Sequence, residues 1–421
     1  MAGGGKKSSH AAAAVPKSGD GEQANNTTDL NSFVKSQDYA NYFCTYSYLY
    51  HQKEMLSDHV RMNAYYRSVF DNQECFRDKV VMDVGAGSGI LSVWAAKAGA
   101  RKVYAIEATS ISKHARTLVE HNGLSEIVTV MQTKVEDIES LPEPVDVIIS
   151  EWMGYFLLRE SMLDSVIVAR DRFLRPGGAL YPSHCTVYLA PCRTPLAMQR
   201  ANELSNAMNN WDRFSSDIQA QYDVDLSCLR TPYYTEETEY SLQTSQWAEV
   251  YPSQLAGVGA PMLELDLNTC TVADIEVIKA NVTMQISMPA GVDGDDEDTA
   301  MGEAAEAPAA EQPLQGIVGW FDVEFRGSEK NPAQQLHPPV VLSTAPDASG
   351  ATHWGQQLFP VAPGAVTVRD GDVLHAEVKL ERREENHRLL RLYFDMCKQP
   401  KGTRPKDVDW NAQVALRWNI D

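Results

Sequence analysis

The run Lys79-Val80-Val81-Met82-Asp83-Val84-Gly85-Ala86-Gly87-Ser88-Gly89 constrains the fold of this chain more than any other. A short apolar segment bounded by turn residues reads as a buried strand. It passes straight into three alternate glycines, after which Ile90 to Ala98 reads as a helix closed by Gly99. Strand, glycine turn and helix in that order open a doubly wound parallel α/β sheet. The pattern then repeats. Lys102 to Ile106 is a strand ending at Glu107, Ser110 to His121 a helix, Val128 to Met131 a strand, and Val145 to Ile149 another. Ahead of them, residues 36 to about 70 read as helical, with Tyr39, Tyr42, Phe43 and Tyr46 at mixed three and four spacing.

After Pro182 the texture changes. Thr186 to Ala190 alternates like a half-exposed strand. Further short strands are expected at Thr269 to Val272, Val277 to Ile286, Gly316 to Phe325, Val366 to Val368, Val373 to Leu380 and Leu389 to Phe394. Many short strands separated by Gly and Pro predict an antiparallel β-barrel or sandwich. The polar, helix-like segment Pro195 to Gln221 interrupts them, with Leu196, Met198, Leu204, Met208, Trp211 and Phe214 as an apolar stripe. That stripe either packs on its own β domain or reaches a second subunit. The expected divisions are a disordered tail at 1–35, a doubly wound α/β domain with N-terminal helices at 36–182, and a β-barrel domain at 183–421. The last carries an arm at 193–225 and a disordered acidic insertion at 289–313.

Charge narrows the partners. With 37 Lys and Arg against 57 Asp and Glu, the net charge is −20. Such a chain lacks the basis for a broad basic face and so argues against direct nucleic-acid binding. It should attract basic partners. Part of the excess is local. Asp293, Asp295, Asp296, Glu297, Asp298, Glu303, Glu306 and Glu311 fall between Pro289 and Pro313 without one Lys or Arg. No run of eighteen apolar residues reads as a membrane span, and the N-terminus does not read as a secretory signal. Seven scattered cysteines without C-x-x-C spacing predict neither a metal site nor a disulfide framework, which fits the cytoplasm or nucleus.

The glycine turn lets a ligand approach the backbone closely. A dinucleotide site asks for G-x-G-x-x-G; the spacing here is G-x-G-x-G, which favours S-adenosylmethionine. Glu107, ending the next strand, is placed to hold ribose hydroxyls, and Glu136 follows the third strand. A second feature lies after the fourth strand: Ser150-Glu151-Trp152-Met153-Gly154-Tyr155-Phe156-Leu157-Leu158-Arg159-Glu160-Ser161-Met162. Two carboxylates nine positions apart at the carboxyl end of a strand suit a planar, bidentate cation. That suggests a site for arginine.

From about Asp38 onward the chain resembles the protein arginine methyltransferases. Five segments carry the resemblance in order: Tyr42-Phe43-x-x-Tyr46 with Met55-Leu56-x-Asp58-x-x-Arg61; Asp83 to Gly89; Glu107; the loop Glu151 to Glu160; and Thr352-His353-Trp354. The stretch Tyr39 to Ser57 is most similar to a plant or green-algal branch with a long dimerisation arm. The resemblance implies a Rossmann-like S-adenosylmethionine-dependent methyltransferase domain, then an antiparallel β-barrel with a helical dimerisation arm. It implies cofactor contacts from Tyr42, Gln52, Met55, Arg61, Asp83, Gly85, Gly87, Glu107, Glu136 and Met162. Arg61 would pair with the methionine carboxylate, Glu107 with the ribose and Glu136 with the adenine amino group. Glu151 and Glu160 would clamp the substrate guanidinium, and His353 would face Asp58 across the domain boundary. Met55 and Met162 would line the space beside the target nitrogen, or fill core. Gln52 departs from the family, which often has His there.

The implied activity is type I: monomethyl and asymmetric dimethyl arginine on basic proteins such as histones and Gly-Arg-rich RNA-binding proteins, made by a homodimer. A single Thr-His-Trp, and Met rather than Phe at position 55, favour that subclass. A small-molecule methyltransferase on the same fold predicts a lid instead of a barrel after Pro182. A non-catalytic scaffold for basic proteins predicts loss of Arg61, Gly85, Glu107 or the two glutamates, all of which stand.

Overall fold

The computed structural model describes residues 38, 40–288, 311–333, 338–347 and 351–421. Its first sheet contains β1 (Val80–Val84), β2 (Lys102–Glu107), β3 (Val128–Gln132), β4 (Val145–Ile149) and β5 (Leu174–Tyr181), all parallel, in the order β3-β2-β1-β4-β5. Every residue of β1 and β4 is buried, which is why both read as unbroken apolar runs. Strand order reverses between these two. The crevice beyond their carboxyl ends is therefore the switch point at which open α/β sheets bind ligands. The glycine turn follows β1 and Glu151 follows β4, so both features open onto that crevice.

The expected helical stretch before β1 is broken into α1 (40–46), α2 (Leu49–Ser57), α3 (His59–Phe70) and the short α4 (Gln73–Phe76). Asp58 ends α2 and caps α3, its Oδ1 accepting from the Arg61 N–H at 2.9 Å. Tyr39 and the expected tail at 1–35 lie outside the described residues. Helices α5 (Ile90–Lys97), α6 (Ser112–His121) and α7 (Met162–Phe173) complete the α/β layers. The α5 helix starts directly after Gly89 (φ 86°), a left-handed position at which a Cβ would meet Ala115 at 3.2 Å.

Beyond Pro182 the strands are antiparallel. They are β6 (His184–Cys192), β7 (Gln246–Ala248), β8 (Ala260–Asp266), β9 (Val277–Gln285), β10 (Gln312–Pro313), β11 (Gly316–Phe325), β12 (Val340–Ser343), β13 (Gln356–Pro360), β14 (Thr367–Val368), β15 (Val373–Arg382), β16 (Leu390–Gln399) and β17 (Val414–Ile420). One sheet runs β7-β13-β11-β6-β8, with β12 on β11, and another runs β17-β16-β15-β9. Among the described residues their edges join through isolated bridges, Gly257 with Ile286 and Thr244 with Asn419, rather than through continuous ladders. The result is barrel-like. Aromatic packing seats it on the α/β domain: Tyr65 of α3 meets Phe325 at 5.0 Å, and Phe156 of the double-glutamate loop meets Phe359 at 5.2 Å.

Three sequence expectations change. Thr269 to Val272 is a turn leading into a helix, Val272–Glu276, because Thr271 and Asp274 form a capping box. The arm is longer than 193–225. Its helix α8 (Pro195–Tyr222) is followed by α9 (Arg230–Leu242), held by Trp211 stacked on Tyr233 at 4.4 Å and by Arg230 forked onto Asp212 at 2.8 and 3.1 Å. Of the acidic stretch 289–313, residues 289–310 lie outside the described residues. Its end is structured: Gln312 and Pro313 pair with β14, and Glu311 accepts from Thr367 and Lys398 at 2.8 and 3.1 Å.

Candidate active site

Ser150 anchors Glu151 to the end of the parallel sheet. Its Oγ donates to the Val84 carbonyl at 2.7 Å, its N–H donates to the Tyr181 carbonyl at 3.0 Å, and its carbonyl accepts from the Tyr65 hydroxyl at 2.9 Å. The loop beyond it holds four non-glycine residues in left-handed backbone: Phe156 (φ 50°), Leu157 (69°), Glu160 (80°) and Ser161 (58°). Each such residue costs about 1 kcal/mol or more and persists only where its surroundings over-determine it. Gly154 supplies one constraint, since a Cβ there would lie 2.0 Å from the Arg159 carbonyl oxygen. The β domain supplies three more. Trp354 Nε1 donates to the Met153 carbonyl at 2.9 Å, the Glu160 N–H donates to the Arg388 carbonyl at 2.8 Å, and Ser161 Oγ donates to the His387 carbonyl at 2.6 Å. One domain carries the loop and the other sets its shape.

Two cavities meet at this loop. The larger, about 440 Å³, runs from Glu136 past Glu107, Gly85 and Gly87 to Arg61 and Glu151. That volume lies within the range of about 300–1,000 Å³ usual for cofactor sites. The smaller, about 260 Å³, opens outward between Tyr155, Arg159, His353 and Arg388. Glu151, Glu160, Met55, Tyr42 and Tyr46 line both. Gln52 and Met162 line the larger. The sequence-expected residues thus converge, with two exceptions. Asp58 lies behind His353, to which it is bonded. Asp83 is fully buried, lines neither cavity, and accepts from Ser92 Oγ at 2.7 Å. Burial pushes its carboxyl up to about 7. The bond from Ser92 braces β1 against α5, while Asp83 Oδ1 has no hydrogen-bond partner among the described residues.

The larger cavity suits S-adenosylmethionine. Gly85 (φ 73°) and Gly87 (φ 52°) leave bare backbone as its floor. A Cβ on either would come within 2.8 Å of Met162 Cε or Gln52 Oε1. Glu107 is fixed by the Gly87 and Thr109 N–H groups at 2.9 and 2.6 Å, where its outward lone pairs suit a diol. Arg61 Nε is buried without a hydrogen-bond partner among the described residues, a donor suited to a carboxylate. Glu136 accepts from Ser165 Oγ at 2.6 Å at the far end. Gln52, where the family often has His, ties α2 to the glycine turn: Oε1 accepts from the Ser88 N–H and Nε2 donates to the Tyr46 carbonyl, both at 3.2 Å.

The electrostatics centre on the two glutamates. Arg61 Nη2 donates to Glu151 Oε2 at 2.8 Å. The Tyr46 hydroxyl donates to Glu160 Oε2 at 3.0 Å, and Arg159 Nη1 lies 3.5 Å from Glu160 Oε1. Burial raises the Glu160 carboxyl above its usual range, against the pull of Arg159, Tyr46 and Arg388. Burial also acts to raise Asp58, but the His353 ring, the Arg61 N–H and the His353 N–H outweigh it and hold that carboxyl low. His353 Nδ1 meets Asp58 Oδ2 at 2.7 Å, and the ring lies tilted against Trp354 with centroids 3.9 Å apart. Arg388 was not evident in the sequence. It sits between β15 and β16 without any motif, yet it covers the Tyr42 ring at 3.5 Å and lines both cavities.

A Rossmann-like sheet with this glycine floor, joined to a second cavity lined by paired carboxylates and completed by the β domain, is the architecture of a methyltransferase. The family model described as arginine methyltransferase oligomerization subdomain matches residues 187–399, and that described as ribosomal protein L11 methyltransferase (PrmA) matches residues 67–169. Protein arginine N-methyltransferase PRMT10 of Oryza sativa subsp. japonica is 49% identical over 360 residues, covering 86% of this chain and 88% of that protein. The crystal structure of Arabidopsis thaliana protein arginine methyltransferase 10 superposes with a TM-score of 0.78 at 43% identity, covering 90% of this chain and 100% of that one. The Trypanosoma brucei PRMT1 enzyme–prozyme heterotetramer, solved with AdoHcy, gives 0.69 at 27% identity over 90% of this chain and 100% of that one. The chain belongs to the protein arginine N-methyltransferase family. Its activity is transfer of methyl groups from S-adenosyl-L-methionine to protein arginine.

Proposed function

We propose that Glu151 and Glu160 clamp a substrate guanidinium at the seam of the two cavities, and that the products are monomethyl and asymmetric dimethyl arginine. The observation that carries this is the Arg61 guanidinium seated on Glu151 at 2.8 Å: the carboxylate at the seam already holds the chemical group that the substrate presents. Arginine is protonated at every working pH, and its delocalised lone pairs make it a poor nucleophile. Two carboxylates draw its positive charge toward one terminal nitrogen and leave the other with a more available lone pair. When bound, S-adenosylmethionine supplies an electrophilic sulfonium methyl. The chain holds the acceptor nitrogen at near-attack distance, and that placement supplies much of the acceleration. The new methylguanidinium must shed a proton. Asp58 occupies His353 Nδ1, so Nε2 is the nitrogen left to take it; bulk water is the other acceptor.

The substrates in this reading are basic, arginine-containing proteins such as histones and Gly-Arg-rich RNA-binding proteins, in keeping with the net charge of −20. The enzyme works as a homodimer, with α8 and α9 of each protomer on the α/β domain of its partner. Exposed Met198, Phe214, Tyr234 and Tyr240 on the arm support this. Radiolabelled methyl transfer to a Gly-Arg-rich peptide, followed by amino-acid analysis, tests the chemistry. Monomethyl and asymmetric dimethyl arginine are expected; symmetric dimethyl arginine contradicts the product assignment. Deleting residues 195–242 should give monomers by light scattering.

A further inference from the structure

Two arginines border the mouth of the smaller cavity, Arg159 and Arg388. They differ in what balances their charge. Arg388 Nε pairs with Asp38 Oδ2 at 3.3 Å. Arg159 forms an ion pair with Glu160 alone among the described residues, Nη1 lying 3.5 Å from Oε1. Its side chain is only 22% exposed, and its Nε is buried without a hydrogen-bond partner among those residues. The Tyr155 ring lies 6.0 Å from the guanidinium carbon and offers only a weak cation–π contact. Arg159 therefore has one anion and an unused donor.

That anion is the one the substrate needs. Glu160 Oε2 is engaged by the Tyr46 hydroxyl, so an incoming guanidinium competes with Arg159 for Oε1. A largely buried cation stripped of its counter-charge costs free energy until another partner reaches it. We infer that Arg159 is a specificity-determining residue: when a substrate arginine takes Glu160, Arg159 turns to a carboxylate side chain next to that arginine in the substrate. A lysine at the same place meets repulsion instead. The preference is about tenfold, the scale of one charge-assisted hydrogen bond in a partly buried setting. This rests on the clamp proposed above.

The test uses the full chain and two single-arginine peptides that differ only in the residue after the arginine, Glu in one and Lys in the other. The quantity read is the ratio of their kcat/KM values. Arg159→Gln should shift that ratio about tenfold toward the Lys peptide, and Arg159→Lys should retain most of the wild-type ratio. A ratio is insensitive to a general loss of activity, which a merely structural role would produce on both peptides alike. Where turnover is too slow, peptide affinities from fluorescence anisotropy give the same ratio. A ratio unchanged within twofold in Arg159→Gln, or lost equally in Arg159→Lys, overturns the inference. It would point to an Arg159 contact with substrate backbone or to none. Failure of the clamp itself is separate: Glu160→Gln would then still turn over both peptides.

Discussion

Arg61 Nη2 and Glu151 Oε2 lie 2.8 Å apart, with 11% and 12% of their side chains exposed. This pair joins α3 to the end of β4 and stands between the two cavities. Under the proposed clamp, Arg61 would serve the acceptor site as well as the cofactor. Arg61→Ala leaves a largely buried carboxylate without its cation and should lower unfolding free energy by about 3 kcal/mol in urea titration. It should also weaken S-adenosylmethionine binding at least about tenfold by calorimetry, because the unpaired Nε goes with it.

If the clamp holds, Glu160 should set the acid limit of activity. Burial raises its carboxyl above the ordinary glutamate value of about 4.3, and the clamp requires it ionised. The acid limb of the kcat/KM profile should therefore lie above that value. Tyr46 donates to Glu160 and so favours its charged form. Tyr46→Phe should move the limb to higher pH, with little change on the alkaline side.

Gly154 has no room for a side chain, since a Cβ would lie 2.0 Å from the Arg159 carbonyl oxygen. Gly154→Ala must shift the loop that carries Glu160. Misplacement of about 1 Å costs roughly a hundredfold in rate, so activity should fall by that factor or more. Circular dichroism should remain close to wild type.

Asp58 and His353 bridge the two domains through one carboxylate. The folded Asp58 carboxyl sits below its usual range, so its contribution is complete above the unfolded value of about 3.9 and is lost as pH falls through the folded one. Asp58→Asn should cost about 1–3 kcal/mol at neutral pH. The gap from wild type should hold down to about pH 5 and shrink below pH 4, as thermal melts across pH would report.

The parts of the site written in short-range pattern were legible in the sequence. Fully buried strands β1 and β4 read as continuous apolar runs, and the glycines and Glu151 follow them directly. The bond from Ser92 to Asp83 has no signal of its own in the sequence, where a carboxylate beside a glycine turn looks like a ligand-binding group. The pairing of Arg61 with Glu151, separated by 90 positions, has no local signal. The same holds for Arg388, whose carbonyl and guanidinium both act through distant partners.

The fold shows the same division. Helix α9 has the sequence RTPYYTEETEYSL, rich in Thr and Tyr, and poor intrinsic helix formers hide it. Packing on α8 through Trp211 and Tyr233 provides the missing stability. Strand β13 is buried throughout but only five residues long, and β7 has three, too little for any period to emerge. Ladders across the β domain, rather than local propensity, define these edges.

Glu160→Gln is the most direct test of the clamp, because Glu160 does not touch Arg61 and the glycine floor stays intact. Radiolabelled methyl transfer to a Gly-Arg-rich peptide and calorimetric binding of S-adenosylmethionine should be measured on the same protein. The clamp predicts at least a hundredfold loss of transfer, on the order of what a lost electrostatic contact to the reacting group costs. Cofactor affinity should stay within about threefold, since in this account the carboxylate holds the acceptor and the cofactor's polar groups are held elsewhere. Near-normal methylation by Glu160→Gln would contradict it.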